Sequence, residues 1–284
     1  MFLFLIFLSF FTFNVNNTLT NNAEKNFYFT EKVYKDVDFQ DVNKLNLDIR
    51  NFSAESILIK EIGGQTLLSK NSLAKKDIAS ITKLLSVYIG YLVFKENKDF
   101  YFDKESLSKE GIVGYFKEGE RISRDDIFKA VLIASSNDSI YLLAKNYNVK
   151  DFVSLMNLKA KEFGMLDSKF VDPSGLEQNL STAKDLFILL VNLYSRIPEI
   201  LRITTLEKVV INNKTLWTTN LILHKYKNFI VASKTGYKDE VGENLVMILK
   251  FDKSPFLAFI LLGSKNRWQE TEMLISSLIK YYGQ

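Results

Sequence analysis

The densest apolar block of the chain stands at its start. From Phe2 to Phe13 only Ser9 and Thr12 interrupt a run of Phe, Leu and Ile, and the first basic residue is Lys25. About 18–20 apolar residues are needed to cross a bilayer, whereas about 7–15 suffice for the core of an export signal. The run therefore predicts a secretory signal over residues 1–22. No basic residue precedes it and no small-x-small cleavage site follows, so cleavage and retention as a membrane anchor both stay open. Residues 14–50 are polar, rich in Asn and Lys and without periodicity. They predict a linker and lead-in, bounded at 23–53, ahead of a domain over 54–284.

Inside that domain the pattern changes several times. SILIKEI from Ser56, then Gly63-Gly64, then QTLLS predicts a hairpin, because two glycines supply the positive φ of a tight turn. Ile78–Phe94 is apolar almost all round and predicts one central buried helix. Residues 121–164 read as helical. Ser123 and Asp126 form a capping-box-like start, and Asp151–Phe163 carries apolar residues at 152, 156, 160 and 163 before Gly164. Another helix follows Thr182, with Asp185 three residues on, and stops near Pro198. The last third returns to strands: a hairpin turning at Asn212-Asn213, then NLVMILKF and PFLAFILLGS either side of Asp252–Pro255. A closing helix is expected from Trp268 to Tyr281. Strands, helices, strands and a helix predict a mixed α/β (α+β) fold. Its antiparallel sheet is built from both chain ends and flanked by helices, with an all-helical lobe inserted over about 96–200.

Composition then removes chemistries. The 284 residues are 47% hydrophobic, with 23 Phe and 13 Tyr, enough for a sizeable core and against general disorder. The net charge of +4 is too small to argue for nucleic acid. There is no cysteine, which excludes disulfides, thiolate metal sites and a thiol nucleophile. His224 is the single histidine, so a histidine metal site or a Ser-His-Asp triad would have to include it. No metal or cofactor is expected. Any hydrolytic base is to be sought among Lys, Asp and Glu.

Three short motifs carry candidate chemistry. Ser80-Ile81-Thr82-Lys83 sets a hydroxyl and an amine one helical turn apart on one face. Lysine can take the serine's proton only when neutral, which requires a dry site or a nearby cation. The spacing recurs at Ser72/Lys75, Ser106/Lys109 and Ser181/Lys184. The first two lie in polar stretches where lysine stays solvated, and Ser181 reads as a helix cap. Only Ser80/Lys83 opens an apolar helix. Ser135-Ser136-Asn137 lies between two apolar runs, either lining a cavity or breaking two helices with Asn137 and Asp138 as caps. Lys234-Thr235-Gly236 occurs once. It either grips a substrate carboxylate, glycine allowing close approach, or belongs to an ordinary exposed strand.

In this order the three motifs resemble those of the penicillin-recognising serine acyltransferases. IASITKLL, LIASSNDS, MNLKAKEFGMLDSKFVDPSGL, STAKDL and SKTGYKDEVGENLV are similar to the serine-type D-alanyl-D-alanine carboxypeptidases, the low-molecular-mass penicillin-binding proteins. The similarity covers roughly residues 54–282. It implies a β-lactamase/transpeptidase-like fold and an extracytoplasmic enzyme that removes the terminal D-alanine from peptidoglycan stem peptides ending D-Ala-D-Ala. It implies β-lactams as inhibitors, and membrane contact only through an uncleaved N-terminal segment. By the same resemblance Ser80 is the nucleophile and Lys83 its base. Ser135 relays a proton to the leaving D-alanine, and Asn137 holds the substrate amide and the lysine. Lys234, which would also keep Lys83 neutral by repulsion, and Thr235 bind the terminal carboxylate. Backbone N–H groups of Ser80 and Tyr237 form the oxyanion hole beside Gly236, and Arg267 lies near the carboxylate.

The sequence also departs from the family. Glu177–Leu180 leads straight into STAKDL without the usual histidine, Glu243 stands where an aromatic residue is common, and Leu221 where a basic one is. An endopeptidase of the same family, a serine β-lactamase using Glu177, and a non-catalytic peptidoglycan-binding relative are the competing expectations.

Overall fold

The computed structural model describes residues 41–111 and 114–283. The export run, and the lead-in before residue 41, lie outside the described residues. After β1 (Val42–Asn43) the first hairpin forms from β2 (Ser56–Glu61) and β3 (Thr66–Lys70), with Gly63 at φ +83° in the turn; Gly64 does not take the positive φ expected of both glycines. After β4 (Lys76–Asp77) come a 3₁₀ turn, Ala79–Thr82, and α1 (Lys83–Val93). The pair β5 (Asp99–Tyr101) and β6 (Arg121–Ser123) precedes α2 (Arg124–Ile133), α3 (Asn137–Lys145) and α4 (Val149–Phe163). Then follow β7 (Leu180–Ser181), α5 (Ala183–Arg196), α6 (Pro198–Arg202), β8 (Lys208–Ile211), β9 (Lys214–Trp217) and α7 (Leu223–Tyr226). The chain closes with β10 (Ile230–Lys238), β11 (Gly242–Lys250), β12 (Phe256–Ser264) and α8 (Arg267–Tyr282).

Six strands make one antiparallel sheet in the order β1-β3-β2-β12-β11-β10. Ile59 lies opposite Phe259, so the two ends of the chain pair at the sheet's middle, as the order of elements predicts. The apolar runs of β11 and β12 do not alternate because both faces are covered. Ile57, Ile59, Met247, Leu257, Phe259 and Leu261 pack with Leu274, Ile275 and Leu278 of α8. The intervening Leu58, Val246, Ile248, Ala258 and Ile260 are equally buried on the opposite face. There α5 packs across β2, β11 and β12. Part of the segment expected as a separate helical lobe is thus the sheet's second cover.

Element boundaries differ from the reading in ways that have causes. The expected helix 78–94 begins as a 3₁₀ turn because Ala79 has φ +48° and cannot continue an α-helix backwards. The helical stretch expected from 121 starts at Arg124, after β6, with the Ser123 hydroxyl accepting the Asp126 N–H as read. Thr182, not Ser181, caps α5, since its hydroxyl accepts from the Asp185 N–H while Ser181 pairs in a strand. Gly164 ends α4 in the left-handed conformation.

The last part of the expected lead-in is built into the sheet: β1 pairs with β3, and Phe52 is buried. Buried Glu270 fastens it. Its carboxylate accepts from the Ser53 hydroxyl (2.8 Å) and backbone N–H, the Ala54 N–H (3.3 Å) and the Ser264 hydroxyl (2.7 Å). Glu270→Ala should strand these donors and lower unfolding free energy by about 3 kcal/mol, read as a reduced urea midpoint at unchanged m.

Candidate active site

Ser80 lies in the 3₁₀ turn that begins at the left-handed Ala79, a conformation an L-residue keeps only when neighbours hold it. Two glycines do so. A Cβ on Gly175 would stand 2.0 Å from the Ala79 carbonyl oxygen. One on Gly236 would stand 2.7 Å from the Ile78 carbonyl oxygen and 3.3 Å from the Ser80 nitrogen. Asp77 adds a bond to the Ala79 N–H (2.9 Å) and an ion pair to Lys238 of β10 (2.8 Å). The turn that carries Ser80 is therefore wedged between the loop carrying Gly175 and the edge strand β10.

Lys83, first residue of α1, is wholly buried. Its Nζ donates to Ser80 Oγ and to the Ser174 carbonyl, each at 2.6 Å. Burial draws its pKa down to about 7, against the opposing pull of Asp172. Of the four lysines at this spacing only this one is dry: Lys75 is largely exposed, Lys109 is partly exposed over the Tyr141 ring, and Lys184 pairs with Asp167.

The loop from Asp172 to Asn179 supplies the carbonyl that Lys83 needs. The Asp172 carboxylate accepts from the N–H groups of Ser174 (2.8 Å), Gly175 (2.9 Å) and Leu176 (3.3 Å), folding the loop on itself. The Asn179 amide nitrogen donates to Thr82 Oγ1 (3.0 Å) and Asp172 Oδ1 (2.9 Å), and Ser86 donates to the Pro173 carbonyl (2.6 Å). Asp172, Ser174, Gly175 and Asn179, which lie outside the three motifs, hold this loop in place. The signal was present in the short Asp-Pro-Ser-Gly run, whose acidic first residue is suited to capturing following N–H groups.

Both readings of Ser135-Ser136-Asn137 hold together. The tripeptide separates α2 from α3, and its cap is Ser136, whose hydroxyl accepts from the Ser139 N–H (3.2 Å), rather than Asn137 or Asp138. The same turn puts Ser135 at φ +63° and turns its hydroxyl to the cleft, 2.9 Å from Lys234 Nζ. Asn137 lines the cleft, but its amide nitrogen goes to the Glu110 carbonyl (2.5 Å), and it makes no hydrogen bond to Lys83. Its buried Oδ1 has no protein partner.

Lys234, Thr235 and Gly236 lie in β10, with Lys234 buried. Its pKa falls well below the usual lysine value, through burial first and then through repulsion from Lys83 and Arg267. For Lys83 itself, burial is the leading cause, as its apolar context predicts, and the repulsion from Lys234 that the resemblance implies is not among the causes. Thr235 Oγ1 meets Thr219 Oγ1 at 2.5 Å, which brings in a residue that carried no motif. The Tyr237 ring is exposed and bonds Asp239, leaving its backbone beside the cleft. Arg267 is buried. Its Nη1 reaches the carbonyls of Gly236 and Asn244 at 2.9 Å each, and Glu243 accepts from its N–H (2.9 Å) and pairs with its guanidinium (3.5 Å). The departure at Glu243 thus has a partner. Ser80, Ser135, Asn137, Thr235, Tyr237 and Arg267 border one cleft of about 420 Å³. His224 and Glu177 are exposed and outside it.

This chain belongs to the D-alanyl-D-alanine carboxypeptidase family of serine peptidases, whose model matches residues 42–265. It is 35% identical over 217 residues to the D-alanyl-D-alanine endopeptidase of Pseudomonas aeruginosa, covering 72% of this chain and 69% of that protein. It is 27% identical to D-alanyl-D-alanine carboxypeptidase DacC of Escherichia coli K12, over 80% of this chain but only 61% of that enzyme's length. Penicillin-binding protein D2 of Listeria monocytogenes, solved in its cefotaxime-bound form, superposes with a TM-score of 0.71 at 26% identity. The match covers 80% of this chain and 97% of that one.

Two outcomes follow from the geometry. Lys83 accepts a proton only when neutral, so the rate of acylation by penicillin should rise with pH through about 7 and level off above it. Lys83→Arg, always protonated, should abolish it; stopped-flow acylation from pH 5.5 to 9 checks both. Gly175→Ala meets a carbonyl and a φ of +83°, and should lose about 2–4 kcal/mol in urea unfolding together with most acylation.

Proposed function

We propose that the chain is a serine DD-peptidase that acylates itself on peptidoglycan stem peptides ending D-Ala-D-Ala and binds β-lactams at the same serine. The observation that carries this is the 2.6 Å contact between Ser80 Oγ and a wholly buried Lys83 whose proton is loosely held. Ser80 Oγ attacks the carbonyl of the penultimate D-alanine while Lys83 Nζ takes its proton. Backbone N–H groups of Ser80 and Tyr237 stabilise the oxyanion, an interaction of the kind worth several kcal/mol at a preorganised site. The C–N bond then breaks; Ser135, held by Lys234, gives its proton to the leaving amine and takes in exchange the proton that Lys83 received from Ser80, so that Lys83 is neutral again for the water step. Water next cleaves the ester and regenerates Ser80. Lys234, Thr235 and Thr219 hold the leaving residue's carboxylate, which would also favour the protonated form of Lys234.

The first reading is carboxypeptidase action, release of free D-alanine. The 35% identity to a D-alanyl-D-alanine endopeptidase favours a second reading, with the same acylation on a cross-linked peptide. A β-lactamase reading finds less support, because Glu177 is exposed and stands outside the cleft, and the full set of Ser, Lys and Asn groups argues against a non-catalytic relative. The apolar run at 2–13 supports an extracytoplasmic location, where such substrates are found. Among the described residues no helix is long and apolar enough to cross a membrane. Purified protein incubated with a fluorescent penicillin should become stably labelled, and Ser80→Ala should not. Release of D-alanine from a pentapeptide ending D-Ala-D-Ala identifies the carboxypeptidase. Absence of labelling of the intact protein overturns the proposal.

A further inference from the structure

Gly236 and Tyr237 share one peptide unit. In a trans peptide the carbonyl and the N–H point opposite ways and are joined by resonance across the C–N bond. No cis bond occurs among the described residues. The N–H of this unit is the oxyanion donor assigned to Tyr237. Its carbonyl, on Gly236, lies 2.9 Å from Arg267 Nη1. The same Nη1 reaches the Asn244 carbonyl at 2.9 Å, and Asn244 is the residue that pairs with Gly236 across β10 and β11. One nitrogen of a buried guanidinium thus ties the two strands together at the peptide that closes the oxyanion hole.

The rest of the guanidinium is engaged within the wall. Nη2 faces the Glu243 carboxylate at 3.5 Å, Nε is buried, and the group lies over the Trp268 ring, 4.2 Å from its centroid. Glu243 also accepts the Arg267 N–H at 2.9 Å and stands directly opposite Tyr237 in the sheet. A cation bonded to a carbonyl draws electrons toward that oxygen, and the N–H at the other end of the unit becomes a stronger donor. Arg267 can therefore act on a developing oxyanion without touching it. The carboxylate of Glu243 sets how much of the charge is left to do so.

We propose that Arg267 is a positioning residue for the oxyanion hole: it fixes and polarises the Gly236–Tyr237 peptide, Glu243 moderates its charge, and the substrate carboxylate rests on Lys234, Thr235 and Thr219 without it. This rests on the acyl-enzyme reading above, and it replaces the carboxylate contact that the resemblance implies for Arg267.

The test reads the oxyanion hole directly. Full-length protein is acylated with a penicillin isotope-labelled at its β-lactam carbonyl, and infrared difference spectra give the carbonyl stretch of the acyl-enzyme ester. Stronger donors lower that frequency. Arg267→Ala should raise it and slow acylation about tenfold, less than the roughly 10²–10³-fold that losing a whole oxyanion donor costs. Glu243→Gln, in which Arg267 keeps both carbonyls, should lower it. A thioester substrate ending in a carboxylate and its methyl ester should lose acylation rate equally in Arg267→Ala. A loss confined to the carboxylate form makes Arg267 a substrate ligand and overturns the proposal. An unmoved frequency in Glu243→Gln overturns it as well, and that arm stands even where the alanine variant does not fold. Wild-type protein that takes no penicillin removes the parent reading and this one together. A labelled wild type with unmoved frequencies in the variants overturns this one alone.

Discussion

An ammonium group sealed away from water must find strong partners or release its proton, and Lys83 is held between those outcomes. Its two contacts, the Ser80 hydroxyl and the Ser174 carbonyl, are enough to keep the side chain in place but too few to replace the hydration of a full charge. That balance gives an amine with a pKa of about 7. A neutral amine can take the proton of the serine beside it, which is how the proposed mechanism does without histidine. The Asp172 loop, the turn at Ala79 and the edge strand β10 serve the dryness of this lysine or the aim of the hydroxyl.

Dryness comes from packing on all sides. The helices α2, α3 and α4 pack against α1, and the loop after Asp172 closes its start by bonding to Lys83, Ser86 and Thr82. The aim comes from the turn at Ala79, whose strained backbone is kept in place by two segments that lack side chains at the contact. Arg267 braces the strand on the other side. By reaching the carbonyls of Gly236 and Asn244 it stiffens β10 and β11 at the point where β10 faces Ser80. Its charge is partly met by Glu243, so the far wall of the cleft is less positive than an arginine alone would make it.

Much of this was legible in the chain. The hairpins, the closing helix and the sheet built from both ends follow from hydrophobic period and turn residues, which are local signals. Ser80 was separable from three other serines at the same spacing because only its lysine sits in an apolar context. The remainder depends on who meets whom across the fold. Thr219 has no motif and matters through one contact with Thr235. Asn179 reads as a loop residue until its amide is seen bridging to Thr82. The left-handed Ala79 could not be foreseen, since nothing in Ile78-Ala79-Ser80 calls for it; the demand comes from Gly175 and Gly236. The lead-in reads as polar linker because β1 is two residues long and its pairing has no pattern of its own.

The same wedge has a consequence for how the protein comes into being. Gly175 and Gly236 lie about 100 and about 160 residues beyond the turn they hold, and the middle of the sheet joins strands roughly 200 residues apart. Contacts so distant in sequence close late, after the entropy of long loops has been overcome. A growing or truncated chain can form the helices around α1 but not the vise on Ser80. The geometry of the turn at Ser80 is thus complete only when both distant segments are in place.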